Sequence, residues 1–315
     1  MSLRPTKPAA VTAAALMVLL GSCSTPDGPG APREVVQPVA AQSPSPTPTP
    51  KPAATPTPAP TPARTTFSFR GELEQGGWVR GQVPSNTRSA RLGEQSLRFD
   101  EDGNFFAAFD RDQGPQIELV ATLEDGRTIS SPLMIEPRDW QLEYINTPYR
   151  AGQSSAEFQR LRETERAQIV AARAQDTGAD GWRQDFIWPV TGRISGRFGS
   201  QRVYQGKPGP YHSGLDIAPG AGVPYVAPAD GVVTLVAQDP FSLEGRLLMI
   251  DHGMGLNSAF LHSATIIVRE GQKVRQGQYL GTVGATGRAT GPHLHWSLKW
   301  QDSRLDPLLF VGPMK

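Results

Sequence analysis

Apolar residues recur at every second position in several stretches between residues 67 and 123. Phe67 and Phe69 open the series, Phe105, Ala107 and Phe109 continue it, and Ile117, Leu119, Ala121 and Leu123 close it. A period of two belongs to strands that turn one face to a core. Asp102-Gly103 and Asp125-Gly126 stand between these runs as turn dipeptides suited to hairpins. Residues 67–140 therefore predict a small β-sandwich-like module, immunoglobulin-like in its proportions. The period then changes. Ala, Arg, Gln and Glu dominate residues 154–174, Phe158, Leu161, Ile169 and Ala172 fall at helical spacing, and Ser154 with Glu157 has the form of a capping box. Gly178 offers a stop. This predicts a helical connector over residues 153–178, its apolar stripe packed against a neighbouring domain. From residue 186 to 312 the pattern returns to short strands separated by Gly, Pro and Asp-Gly: Ile187-Trp188-Pro189-Val190, then residues 232–237, 247–251 and 278–283. The predicted fold class is mainly β, with a sandwich-like module, a linking helix and a C-terminal antiparallel β domain.

Two N-terminal stretches follow neither period. Arg4 and Lys7 precede an apolar run over residues 9–20. Twelve residues are too few to span a hydrocarbon layer of roughly 30 Å, which takes about 20. Residues 1–22 read as an export signal of lipoprotein type, because the run ends in Leu20-Gly21-Ser22-Cys23, which resembles a lipoprotein signal-peptidase box. Cys23 is then the lipidated N-terminus and a membrane anchor; the other reading is an ordinary cleaved signal with an incidental cysteine. Ser24 behind Cys23 resembles outer-membrane sorting in Gram-negative bacteria, so the expected location is the periplasm. Residues 23–66 read as a linker. Ten of residues 38–62 are proline, which prevents a core and fits either an extended polyproline stalk reaching on the order of 75 Å or, equally, a disordered spacer of no required length.

Composition removes some functions and concentrates the search. A net charge of +1 gives no electrostatic case for nucleic-acid binding. Cys23 is the only cysteine, so no intrachain disulfide can form. The β module has no histidine, and reads as a spacer or a substrate-positioning element. All five histidines lie between residues 212 and 295. That clustering marks a site.

The densest part of it is Gly291-Pro292-His293-Leu294-His295. On an extended strand residues i and i+2 share a face, so His293 and His295 project together while Leu294 turns to the core. Upstream, Tyr211-His212-Ser213-Gly214-Leu215-Asp216 supplies a histidine and a carboxylate four apart, with Gly214 permitting a bend between them. Imidazole nitrogens with a carboxylate oxygen make a typical zinc ligand set, and three protein ligands leave a position open for water.

HxxxD followed by HLH resembles the lysostaphin/LytM-type zinc metallopeptidases, which cut peptide cross-links in bacterial cell wall. Trp188-Pro189-Val190, Gly192-Arg193-Ile194-Ser195 and Phe198-Gly199 are similar to the start of that domain. Ala227-Pro228-Ala229-Asp230-Gly231-Val232-Val233 is similar to its characteristic turn, and Gly284-Ala285-Thr286-Gly287 to its glycine-rich approach. The β module and helix resemble, less specifically, the N-terminal regions of some exported Gram-negative members. The resemblance implies a LytM-like metallopeptidase domain over residues 186–312, one Zn2+ held by His212, Asp216 and His295, and His262 and His293 as non-ligand catalytic histidines. The implied substrate is the peptidoglycan stem peptide, hydrolysed by a metal-activated water.

Elementary chemistry suits that division. Amide hydrolysis needs a proton acceptor and donors for the developing oxyanion. No glutamate stands in an HExxH pattern, and histidines titrating near neutrality fill the gap. His252, in Asp251-His252-Gly253, reads as a turn-holding residue, and Asp230 and Asp251 as turn caps. One departure from the family is Phe260, two before His262, where a tyrosine is frequent. A hydroxyl donor is expected to be lost there, with Tyr204 and Tyr211 as weak substitutes. An active endopeptidase, a non-enzymatic activator of another wall hydrolase and a wall-binding adhesin all fit this architecture, and the presence of the ligand residues favours the first.

Overall fold

The computed structural model describes residues 63–148 and 155–314. The leader, Cys23, the proline-rich stretch and Ser154 lie outside the described residues. The β module is a pair of antiparallel sheets. One joins Ser68–Gly71, Trp78–Gln82 and Asn104–Ala108; the other runs Gln95–Leu97, Thr87–Leu92, Gln116–Leu123 and Thr128–Met134. Asp125-Gly126 closes the hairpin between the last two strands, with Gly126 N–H donating to Leu123 O.

The period of two fails at Asn104–Ala108, for a clear reason. Phe105, Phe106, Ala107, Ala108 and Phe109 are all buried. Phe105 meets Phe67 edge-on inside the sandwich, with centroids 6.0 Å apart. Phe106, on the opposite face, packs against Trp300 and Phe310 at 6.4 and 6.3 Å. Trp78 stands beside Phe310 at 5.4 Å, and its Nε1–H donates to Leu309 O at 2.8 Å. The module therefore shares a core with the C-terminal domain. A sheet covered on both faces has no polar side to display.

The C-terminal domain is built on one antiparallel sheet. Its order is Lys273–Val274, Gly231–Phe241, Gly245–Asp251, Leu256–Ser263, Leu294–Trp300, Leu215–Ala218 and Arg193–Gly196, with Ser303–Leu305 also pairing with Leu294–Trp300. Leu294, Trp296, Leu298 and Trp300 alternate into the core from the same strand. Two expectations need correction. Ile187-Trp188-Pro189-Val190 is no strand: Ile187 N–H donates to Pro228 O, Val226 N–H to Pro189 O and Trp188 Nε1–H to Gly312 O, and Pro189 has no N–H to continue a ladder. Conversely, Leu142–Ile145, unforeseen, pairs in parallel with Gln201–Tyr204.

The helix is Ala156–Arg173, and its cap is Ser155 rather than Ser154, with Ser155 Oγ accepting Phe158 N–H at 3.1 Å. Gly178 is not its stop, because the last turn closes at Ala174. The inward face is the predicted apolar stripe only in its C-terminal half. Leu161 is half exposed, while Arg162, Glu165 and Ala172 are buried. Ile169 and Ala172 cover a small patch of Leu235, Ala237, Phe241 and Leu247. Arg162 donates bidentately to Glu244 at 2.7 and 3.0 Å and also pairs with Glu165. Glu165 accepts from Ser242 N–H at 2.6 Å and Ser242 Oγ at 2.7 Å. Helical spacing does not reveal a docking made by charges, which is why the stripe looked incomplete. Removing one member of a buried pair leaves the other charge unmatched. Arg162→Met, which strips both Glu165 and Glu244 of their shared cation, should accordingly cost about 3 kcal/mol of stability, measured by urea unfolding, and a change no larger than that from an exposed helix position would argue against docking by the ion pairs.

Candidate metal centre

Strand register assembles the centre. Leu215–Ala218 pairs antiparallel with Leu294–Trp300 so that Asp216 stands opposite His295, while Leu215, Ile217, Leu294 and Trp296 turn to the core. His212 arrives from the bend before that strand. Asp216 Oδ1 lies 3.0 Å from His212 Nε2 and 2.8 Å from His295 Nδ1, and these two nitrogens are 3.1 Å apart. Two glycines make room. A Cβ on Gly196 would stand 2.4 Å from Asp216 Oδ2, and one on Gly214 would stand 2.6 Å from His295 Nε2.

The ring of His212 is oriented by Arg197 O, which accepts its Nδ1–H at 3.0 Å. A carbonyl can only accept, so in the neutral ring Nε2 keeps its lone pair and directs it into the cluster. Three electron-pair donors thus converge on one point, a set able to hold a cation. Separations near 3 Å are close to the roughly 3.3 Å between tetrahedral ligands at about 2.0–2.1 Å from zinc. Burial favours the neutral form of Asp216, but hydrogen bonds from His212 and His295 outweigh it and hold the carboxyl well below the usual carboxylate range. Burial would likewise lower His212, yet the Asp216 bond and charge raise it. In His295 burial prevails and pushes the imidazole down.

The other two histidines stand on the rim. His293 Nδ1–H donates to Gly291 O at 2.8 Å, leaving Nε2 3.7 Å from Asp216 Oδ1. His262 Nδ1–H donates to Thr286 O at 2.8 Å, and its ring centroid lies 4.8 Å from that of His293. A regular strand would turn His262 to the face of Phe260. Instead the register slips between the pairs Arg246↔Ser263 and Leu248↔Phe260, and His262 adopts φ 65°, a left-handed conformation costly for a residue other than glycine. The slip brings its ring to His293.

The remaining candidates do structural work. His252 is fully buried; its Nδ1–H donates to Asp230 O, its Nε2 accepts from Ser258 Oγ, both at 2.7 Å, and Phe186 packs on its ring. Asp251 holds Gly253 N–H and Thr177, and Asp230 Oδ1 accepts Gln276 N–H. Phe260 stacks on Tyr225 in the core, so that position belongs to packing and no donor is lost from the cluster by its lacking a hydroxyl. Tyr211 gives its hydroxyl to Arg304 as acceptor, and the ring of Tyr204 lies over Gly209. Sequence reasoning missed the carbonyls of Arg197, Thr286 and Gly291 and the clearances at Gly196 and Gly214. Backbone acceptors carry no side-chain signal; the glycine-rich runs around them were the available hint.

Fold and cluster together define a mainly β protein with a His-Asp-His site built across neighbouring strands of an antiparallel sheet. Its C-terminal domain belongs to peptidase family M23, whose model matches residues 210–307. The peptidoglycan DD-endopeptidase ShyA of Vibrio cholerae serotype O1 is 40% identical over 107 residues, 34% of this chain and 24% of that protein. The murein hydrolase activator NlpD of Salmonella dublin is 33% identical over 130 residues, 41% of this chain and 31% of that protein. The chain thus spans about a quarter to a third of the length of these relatives. A crystal structure from Pseudomonas aeruginosa, of a protein assigned to peptidase M23, superposes with a TM-score of 0.58 at 28% identity, covering 77% of this chain and 96% of that one.

His252 makes a pH prediction. Burial pushes its imidazole down to about 4, against an ordinary 6.5. In that interval the unfolded chain binds a proton that the folded chain refuses, so stability is complete above about pH 6.5 and is lost as pH falls towards 4. The loss is worth at most about 3 kcal/mol. Thermal unfolding should show a lower Tm at pH 4.5 than at pH 7, with a smaller difference in His252→Gln; an unchanged difference would assign the acid sensitivity to other groups.

Proposed function

We propose that this protein is a zinc-dependent endopeptidase that hydrolyses peptide cross-links of bacterial peptidoglycan. The observation that carries the reading is the convergence of His212 Nε2, Asp216 Oδ1 and His295 Nδ1 within 3.1 Å, with His262 and His293 beside them. His212, Asp216 and His295 would hold one zinc ion. When bound, zinc polarises a peptide carbonyl and acidifies water, supplying the Lewis acidity that amide cleavage requires. His293 and His262 are each fixed at Nδ1 by a carbonyl, so each has Nε2 available for the reaction. His293 accepts the proton of the attacking water at Nε2, and that proton goes on to the leaving amine; His262, offset by one ring with its own Nε2 unprotonated, is a second position that can take up and pass on that proton. The left-handed backbone of His262 is the strained feature expected where geometry serves chemistry.

The wall substrate is supported by the likeness to ShyA, named a peptidoglycan DD-endopeptidase. The likeness to NlpD, named a murein hydrolase activator, favours a second reading in which the domain stimulates another hydrolase. Both readings take the protein as exported, anchored through lipidated Cys23 and held off the membrane by its proline-rich stalk. A stably anchored protein needs more than one acyl chain, which diacylation of Cys23 would supply.

Purified protein should contain about one zinc per chain by elemental analysis, and His295→Ala should contain none. His262→Ala and His293→Ala should retain zinc yet lose at least about 100-fold in release of cleaved stem peptides, read by mass spectrometry. A zinc-loaded protein that releases nothing but accelerates a second hydrolase would establish the activator reading. In cells, Cys23→Ala should abolish acyl labelling and membrane association while leaving hydrolysis by the purified protein unchanged.

A further inference from the structure

Arg111 carries the β module to the turn that supports the metal centre. Arg111, in the turn after Asn104–Ala108, is buried although charged. Its Nε–H and Nη2–H both donate to Gly199 O, at 3.1 and 3.0 Å, and Nη2–H also donates to Gln201 Oε1 at 3.1 Å. The guanidinium lies 4.7 Å from the ring centroid of Tyr211 and 5.1 Å from that of Trp140. On its other side the same turn is gripped by Trp140. Gly199 has φ 79°, and a Cβ there would stand 2.0 Å from the Trp140 ring.

That turn, residues 197–200, is the immediate support of His212. Gly199 N–H donates to His212 O at 2.8 Å, His212 N–H donates to Ser200 O at 2.8 Å, and Arg197 O accepts the ring Nδ1–H at 3.0 Å. Every polar group of His212 other than Nε2 is thus committed to four consecutive residues, and Arg111 anchors the carbonyl of the third of them. We propose that Arg111 is a positioning residue for metal binding, so that the β module completes the metal centre. The inference deepens the proposed function and rests on its ligand set. It also replaces the choice between passive spacer and substrate-positioning element with a third role. The planar fork suits it, because two N–H groups directed at one carbonyl fix that oxygen more closely than one ammonium can.

Groups that orient a metal ligand typically change metal affinity by about 10–100-fold when removed. The test uses the full chain with zinc, its affinity measured by competition with a chromophoric chelator, beside thermal unfolding and turnover on wall fragments. Arg111→Met should weaken zinc binding by about 10–100-fold and lower kcat with KM nearly unchanged. Arg111→Lys, which keeps charge and stem but offers one donor direction, should fall between. Leu119→Ala, in the sandwich core and remote from the turn, should lower Tm without altering zinc affinity, which separates positioning from general loosening. Cobalt substitution adds a spectroscopic check, since the d–d bands of Arg111→Lys should shift from those of the unsubstituted protein if His212 is displaced. Unsubstituted protein that binds no zinc overturns the ligand assignment itself. Unsubstituted protein that binds zinc, with both Arg111 variants binding as tightly and Leu119→Ala behaving alike, overturns the positioning role alone.

Discussion

Two imidazole nitrogens and a carboxylate oxygen stay converged on one point only while the fold holds them, and the architecture of the C-terminal domain is largely the means of holding them there. His212 Nε2, Asp216 Oδ1 and His295 Nδ1 lie within 3.1 Å of each other. Left to rotate, these side chains would turn away and seek water or protons. They are prevented by constraints that act from behind. Antiparallel register fixes Asp216 opposite His295, four buried apolar neighbours on the far face keep the strands from slipping by a residue, and the Arg197 carbonyl fixes the tautomer of His212. A one-residue slip would exchange the faces of a strand and send His295 to the core in place of Trp296. The hydrophobic core thus specifies the polar centre.

The same logic explains why a costly conformation is tolerated at His262. Its backbone N–H is held by Glu244 O at 2.9 Å and its ring by Thr286 O at 2.8 Å. The Glu244 side chain is in turn held by Arg162 of the helix. A left-handed residue costs of order 1–3 kcal/mol and persists where its surroundings over-determine it. Here a turn, a loop carbonyl and a docked helix all converge on the one position. The helix lies far along the chain from the glycine-rich loop, yet both bear on one imidazole.

How much of this was legible in the sequence follows from which interactions leave a pattern. Period two and turn dipeptides exposed the sandwich, and the shared face of His293 and His295 followed from the pleat alone. The spacing of His212, Asp216 and His295 drew the centre together on paper as the strands do in space. What escaped was whatever depends on tertiary cover or on backbone atoms. Phe106 reads as a break in alternation until Trp300 and Phe310 cover it. The helix reads as weakly amphipathic because charged residues dock it. Ile187-Trp188-Pro189-Val190 reads as a strand because its side chains are apolar, although no neighbour completes a ladder there. His262 is the instructive case: a regular strand would have put it on the wrong face, and the bulge that corrects this has no signature in Phe260-Leu261-His262.

Polar clamps and apolar contacts hold the parts of this chain together in different ways. Trp78, Phe106, Trp300 and Phe310 weld the module to the C-terminal domain over a broad surface. Such contacts resist separation, but an aromatic face tolerates sliding by a fraction of an ångström at little cost. A metal centre does not tolerate it, since ligand bonds have lengths set to about 0.2 Å. Two outside elements accordingly bear on the centre through a directed hydrogen bond from a buried guanidinium: Arg111 to Gly199 O for the His212 turn, Arg162 to Glu244 for the His262 bulge. Burying a charge is expensive and returns little net stability against an apolar residue of the same size. The return is placement. An arginine at each of these two points converts a loosely sliding surface into a fixed coordinate at the histidine behind it.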